Sequence, residues 1–297
     1  MRLDRTLTLR LFHPAQCWTA AARRRALPIL MYHSISDDLE PAASAYYKTA
    51  TGPEIFRQHM RHLVEQGYRP IDLSSAAEWL RHGGSLDEKT VVITFDDGFR
   101  NFYTEAFPVL QTHGFTATVF LPTAFIRDDR CSFKGTECLT WNEVRELRKG
   151  GMSFGSHTMN HFRLVDLPWN EIRREVHDSR TEMEQQLRER ITTFAYPFAF
   201  PQNQKQFTKS FCNLLAETGY TCCATTELGR VQLGDDPYRL KRLPINSLDD
   251  IALFRAKLEG GYDWMALPQA LVKKCKRPHV LNTQKNIHSQ TATISST

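Results

Sequence analysis

Apolar, β-branched runs alternate along this chain with stretches in which apolar side chains recur every three or four positions. The first pattern belongs to strands covered on both faces, the second to helices with one buried stripe. Residues 28–35 (P-I-L-M-Y-H-S-I) and 90–95 (T-V-V-I-T-F) read as buried strands. Between them, residues 53–66 place Ile55, Phe56, Met60 and Leu63 on one helical face, and 74–80 suit a second short helix. Asp96-Asp97-Gly98 ends the second strand, and a helix is expected to follow as far as about residue 111, with Gly114 past its C-terminal end.

The alternation then repeats. Strands are expected at 116–121, 152–156, 193–196, 220–225 and 240–245. Thr140-Trp141-Asn142-Glu143 has capping-box spacing and opens a helix that stops at Gly150-Gly151. Residues 169–187 carry Ile172, Val176, Met183 and Leu187 on one stripe, and 207–217 and 248–258 suit two more helices. Such regular alternation predicts an α/β domain over residues 28–275, its parallel sheet open or closed into a barrel. Residues 1–27 form a basic leader, and 276–297 are too polar to build a core and are expected to be disordered.

Composition narrows the function classes. The 297 residues carry a net charge of +5, too little and too dispersed for a dedicated nucleic-acid binder. Arg23-Arg24-Arg25 and Lys273-Lys274-Cys275-Lys276-Arg277 are basic clusters that suit solvated flanks of the domain, or contact with an anionic glycan or lipid. No run is long enough to span a bilayer, and Arg2, Asp4, Arg5 and Arg10 interrupt any secretory signal. Leu3, Leu7 and Leu11 fall at helical spacing, so the expectation is a cytoplasmic protein with peripheral contact to the inner membrane face. Of the seven cysteines, Cys222 and Cys223 read as small core residues; Cys131 and Cys138 flank a loop and can pair only in an oxidising compartment.

Two motifs carry chemistry. In T-F-D-D-G, adjacent carboxylates follow a buried strand, and they can serve one site only where that strand ends. In G-S-H-T-M-N-H, His157 and His161 stand four apart, as on one face of a helical turn, again just past a strand. Both motifs therefore converge on the C-terminal rim of the sheet, where α/β folds place their ligands. Two imidazoles and a carboxylate make a divalent-metal site with positions left for water and substrate. A third strand end carries Phe194-Ala195-Tyr196-Pro197-Phe198-Ala199.

These residues, in this order, resemble the polysaccharide deacetylase family, the NodB homology domain of carbohydrate esterase family 4. The resemblance covers residues 28–260 and implies a distorted (β/α) barrel of about seven parallel strands. It implies that Asp96 is the general base and that Asp97, His157 and His161 bind zinc, or cobalt or nickel. Thr158 would support the metal-binding loop, and the backbone N–H near Phe198 would help hold the oxyanion. The third motif departs from the family, with Ala195 where an arginine is common and Ala199 where glycine is usual. Arg242, in L-K-R-L-P-I, is the candidate replacement for that arginine. The usual late Leu-x-His acid motif is missing, and His279 lies beside Pro278 in the polar tail. L-M-Y-H-S-I resembles the early Tyr-His strand of one branch of the family, so His33 is assigned as the general acid.

The resulting expectation is a metal-dependent deacetylase of an N-acetylated glycan or glycolipid. Two readings compete: a hydrolase of a formylated or lipid-linked sugar or a cyclic imide on the same fold, and a catalytically inactive glycan-binding relic. Trp141 and Trp264 are the candidate sugar-stacking platforms.

Overall fold

Seven parallel strands close into a barrel in the computed structural model, which describes residues 2–17, 26–37 and 48–275. In chain order the strands are β1 (Ile29–Tyr32), β2 (Arg69–Ile71), β3 (Thr90–Phe95), β4 (Thr118–Leu121), β5 (Ser153–Ser156), β6 (Thr193–Ala195), β7 (Cys222–Leu228) and β8 (Leu240–Pro244). The ring runs β1-β8-β7-β6-β5-β4-β3 and back to β1, with Ile29 opposite Val92 and Tyr32 opposite Phe95. Strand β2 is the extra one, paired only to the start of β3.

The apolar runs follow from this closure. Every residue of β3 is buried, because one face lines the barrel and the other meets helices. The outward row includes Tyr32 and Phe95, which pack against Phe56 of the first crossover helix, α1 (Pro53–Glu65). The inward row includes Ile29, Val92, Phe120, Ala224 and Leu240, all buried in one interior cluster. With a side-chain period of two, the same inward rows continue to Thr94 and Asp96 on β3, to His33 past β1, and to Arg242 on β8. The chemistry therefore sits on top of the interior packing.

Local chemistry sets the helix limits. Thr140 and Glu143 make both bonds of the capping box that opens α4 (Trp141–Lys149), after α2 (Leu73–His82) and α3 (Phe107–Thr112). The helix after Asp97 was expected as one α segment. It begins instead with a wider π-helical stretch, Phe102–Ala106, because Pro108 has no N–H to give to a regular α ladder. α5 (Trp169–Leu187), α6 (Lys205–Thr218), α7 (Ile251–Leu258) and α8 (Ala266–Cys275) complete the outer layer.

Two segments differ from expectation. The loop expected between Cys131 and Cys138 holds a hairpin, Ser132–Phe133 against Thr136–Glu137; both thiols are free, and burial pushes that of Cys138 up to about 12. The first residues of the leader are helical (Leu3–Leu7, Thr8–Phe12, His13–Cys17) and dock on the domain. Tyr262 donates to Asp4 Oδ2 at 2.9 Å, Arg5 pairs with Asp250 at 2.6 Å, and Phe12 stacks on Trp264 at 4.5 Å. Leu3 and Leu11 are exposed. Among the described residues no helix is long and apolar enough to cross a membrane. Arg23-Arg24-Arg25, Lys276-Arg277 and His279 lie outside the described residues.

Candidate active site

The strand ends bring together all seven residues singled out by the motifs. Asp97 lies at the centre: its Oδ1 is 3.0 Å from His161 Nε2 and 3.6 Å from His157 Nε2. One ligand atom from each of Asp97, His157 and His161 falls within 4.8 Å of the others, and all three residues are buried. The Asp97 Oδ1 atom makes no well-aligned hydrogen bond to either ring. The Nδ1–H of His157 donates to the Ala195 carbonyl at 2.8 Å, which leaves its Nε2 lone pair facing the centre. A buried, under-bonded carboxylate oxygen facing two imidazole nitrogens fits a single divalent cation.

The His-x-x-x-His segment is not the helical turn that its spacing suggests. Thr158 (φ 68°) and His161 (φ 54°) are both left-handed, and the loop closes through its own side chains. His161 N–H donates to Thr158 Oγ1 at 2.9 Å, and Thr158 N–H donates to Ser156 Oγ at 3.2 Å. The buried Glu175 of α5 accepts from Met159 N–H and Asn160 N–H with Oε2, and from the Asn160 amide with Oε1. An i, i+4 pair is thus brought to one point by a tight loop, because the side-chain hydrogen bonds of Thr158 and Glu175 compete with helical ones.

Asp96 points into the barrel and is held by Arg242, which has no exposed surface. The guanidinium donates from Nη1 to Oδ1 at 2.7 Å and from Nη2 to Oδ2 at 2.8 Å, while its Nε donates to the Thr225 carbonyl at 2.9 Å. Such a fork fixes the carboxylate in orientation as well as in charge. Burial alone would raise the Asp96 carboxyl, but the charges of Arg242 and His157 outweigh it and hold the group below the usual carboxylate range. Asp97 is lowered further: burial alone would raise it, but the close approach of the His157 and His161 rings and the charges of His33 and Lys134 outweigh that.

His33 Nε2 lies 3.9 Å from Asp96 Oδ2, and its side chain keeps 18% exposure. Burial lowers its imidazole below the ordinary value, against the opposing pull of Asp96 and Asp97. Burial likewise takes His161 down to about 4. Phe198 has φ 58°, and its ring packs on His161 at 4.6 Å. Among the described residues its backbone N–H donates to no protein group. Among the described residues, five of the six left-handed non-glycine residues, Asp97, Lys134, Thr158, His161 and Phe198, belong to this one site or touch it. Backbone strain is concentrated where function needs an unusual geometry.

Motif reading missed three residues. Lys134, on the hairpin, donates from Nζ to Asp97 Oδ2 at 3.0 Å. Glu175 gave no signal beyond being an acid on a helix. Phe162, next to His161 in sequence, is 39% exposed, and Phe198, whose ring packs on His161, is 45% exposed. Trp141 is buried at 2% and Trp264 is covered by Phe12, so neither is a platform: both were needed to fill apolar contacts.

Residues 83–223 match the polysaccharide deacetylase family model. YxkH of Bacillus subtilis, named for polysaccharide deacetylation, is 28% identical over 242 residues, covering 82% of this chain and 79% of that protein. The poly-beta-1,6-N-acetyl-D-glucosamine N-deacetylase of Escherichia coli K12 is 33% identical over 141 residues, 44% of this chain and 20% of that protein. Among solved structures, the Streptococcus pyogenes deacetylase PplD in complex with acetate superimposes with TM-score 0.69 and 24% identity, over 79% of this chain and 99% of that one. IcaB of Ammonifex degensii gives TM-score 0.66 and 22% identity, over 79% of this chain and 97% of that one, which supports the shared barrel. The matched segment runs through the Asp-Asp and His-His motifs, so over these residues the chain is similar to the polysaccharide deacetylases, and it shares the barrel of the solved deacetylase structures.

Proposed function

We propose that the protein is a divalent-metal-dependent hydrolase that removes acetyl groups from the amino sugars of an N-acetylated glycan. One observation carries this reading: the Asp97–His157–His161 cluster lies next to a second buried carboxylate, Asp96, which is kept ionised by its own arginine. Asp97, His157 and His161 would hold the ion, zinc being the first choice for this donor set, and a bound divalent ion polarises an amide carbonyl and acidifies water.

The remaining steps belong to the chain's own side chains. Asp96 takes the proton from the attacking water; its lowered pKa keeps it ionised and able to accept that proton, and Arg242 stops it from turning. The Phe198 N–H donates to the oxygen that becomes negative, a contribution of roughly 3 kcal/mol for a well-placed donor. His33, whose Nε2 lies 3.9 Å from Asp96 Oδ2, delivers a proton to the departing sugar nitrogen. The exposed rings of Phe198 and Phe162 offer apolar faces to the substrate's sugar rings.

Acetate release from N-acetylglucosamine oligomers tests the reading. Wild type is expected to release acetate and Asp96→Asn to release almost none. Equal release by both proteins refutes the base assignment, and formate from an N-formyl substrate without acetate from its N-acetyl counterpart refutes the acetyl assignment.

A further inference from the structure

Each carboxylate of the Asp-Asp pair has a cation of its own. Asp96 has Arg242; Asp97 has Lys134, whose Nζ lies 3.0 Å from Oδ2 while Oδ1 faces the imidazoles. The lysine is delivered there by a purpose-fitted turn. Lys134 (φ 53°) and Gly135 (φ 79°) are both left-handed, as a two-residue hairpin requires, although a lysine is disfavoured at the first of these positions. The ammonium lies 4.6 Å over the Phe133 ring and 5.7 Å from that of Phe198. Phe133 in turn packs on Phe125 at 4.4 Å and on His161 at 5.1 Å. The hairpin is bonded to the segment just past Asp97: Arg100 N–H donates to the Glu137 carbonyl at 2.8 Å, and Leu139 N–H to that of Gly98 at 2.9 Å. Lysine and carboxylate therefore form one unit.

We propose that Lys134 is the resident counter-cation of the metal centre, which keeps the metal-free centre assembled and holds its metal affinity below what Asp97, His157 and His161 would otherwise give. The proposal rests on the metal reading of that trio. Two physical arguments set the sign. Without an ion, Asp97 is a buried carboxylate that needs a positive partner, and Lys134 supplies it. With an ion bound, the ammonium repels it at close range and its bond to Asp97 draws charge away from the ligand. Deleting the lysine therefore weakens the empty protein and strengthens the loaded one. Lys134 is 46% exposed, so both effects are screened by salt.

The test uses the full chain stripped of metal by a chelator. Lys134→Met, Lys134→Arg and Lys89→Met (a control at the opposite end of the barrel) are compared with wild type in metal-free melting and in zinc titration against a chromophoric competitor. Lys134→Met is expected to melt lower when metal-free and to bind zinc more tightly, on the order of tenfold at low salt, with the gap narrowing at high salt. Lys134→Arg and Lys89→Met are expected to stay within about twofold of wild type, since the first keeps the charge and the second never touched it. A Lys134→Met dissociation constant equal to or weaker than that of wild type overturns the proposal, whatever its melting point. Wild type that takes up no zinc at all overturns the metal reading itself, and the proposal with it.

Discussion

Two ion pairs in this molecule are equally hidden, yet they differ in their surroundings: one adjoins the Asp97–His157–His161 cluster and the other does not. Arg242 and Asp96 are 0% and 3% exposed inside the barrel; Lys257 and Asp249 are 2% and 0% exposed between α7 and the loop after β8. Asp249 is saturated. Its Oδ2 accepts from Lys257 Nζ and from Asn246 N–H, each at 2.9 Å, and Oδ1 faces Arg2 at 3.4 Å. Asp96 is also bound by its arginine, but one edge still faces His33, and the next residue in sequence points at two imidazoles. Burial and pairing alone therefore do not mark a functional carboxylate; convergence with other reactive groups does. The Asp249 network has a different job, tying the helical N-terminal segment to the barrel through Arg2 and, beside it, Tyr262 and Asp4.

Parallel substitutions in the two pairs separate these roles. Asp96→Asn is expected to lower kcat for acetate release by about a thousandfold, in line with the loss of a general base. Asp249→Asn should lower the melting temperature and leave kcat within a few-fold. Arg242→Met strands a buried carboxylate and should cost about 3–5 kcal/mol in denaturant unfolding; Lys257→Met should cost a similar amount. Only Arg242→Met should also move the acid limb of the kcat/KM profile to higher pH, since the charge that lowers Asp96 is gone. A shift of that limb in Lys257→Met would erase the distinction between the pairs. His33→Ala is expected to lower kcat about a hundredfold, and more for sugars with poor leaving nitrogens.

Buried histidines of both regions make a shared prediction about pH. His161 at the site and His59, which meets Tyr32 and the Asp249 carbonyl, both fall from an ordinary 6.5 to about 4 through burial. The unfolded chain then binds more protons than the folded one, so their contribution is complete above 6.5 and is lost as pH falls toward 4. Metal-free protein should lose on the order of 3 kcal/mol per histidine across that window, measured by unfolding at a series of pH values. The smallest effect is expected for Phe198→Gly, which keeps the N–H, relaxes the left-handed backbone and removes the stacking face. KM should rise about fivefold with kcat nearly unchanged.

Most of the architecture was legible because each strand of a closed parallel sheet is covered on both sides, so β3 reads as an unbroken apolar run. The sequence placed Asp96 and Asp97 at the end of that strand; which of the two enters the interior is fixed by the inward row of Val92 and Thr94, seen only in the structure. What escaped were features set by contacts distant in sequence. The loop character of His157–His161 depends on Glu175, a full loop away on α5, and helical spacing gives no warning of it. Lys134 lies in a short polar hairpin whose only local signal is the Lys-Gly turn, and its target comes from another strand end. Trp141 and Trp264 illustrate the converse: composition marks an aromatic but not its surroundings, and both are consumed by packing. The arginine absent at Ala195 is the instructive case, since the same carboxylate is reached from β8, where Arg242 ends the inward row of side chains.

The central claim, that one cation held by Asp97, His157 and His161 is required for deacetylation, is most directly tested by metal stoichiometry and acetate release on the same sample. Chelator-treated wild type should release no acetate and regain full activity with one equivalent of divalent ion per chain, while His157→Ala/His161→Ala regains none. Undiminished acetate release from wild type that elemental analysis finds free of divalent metal would contradict it.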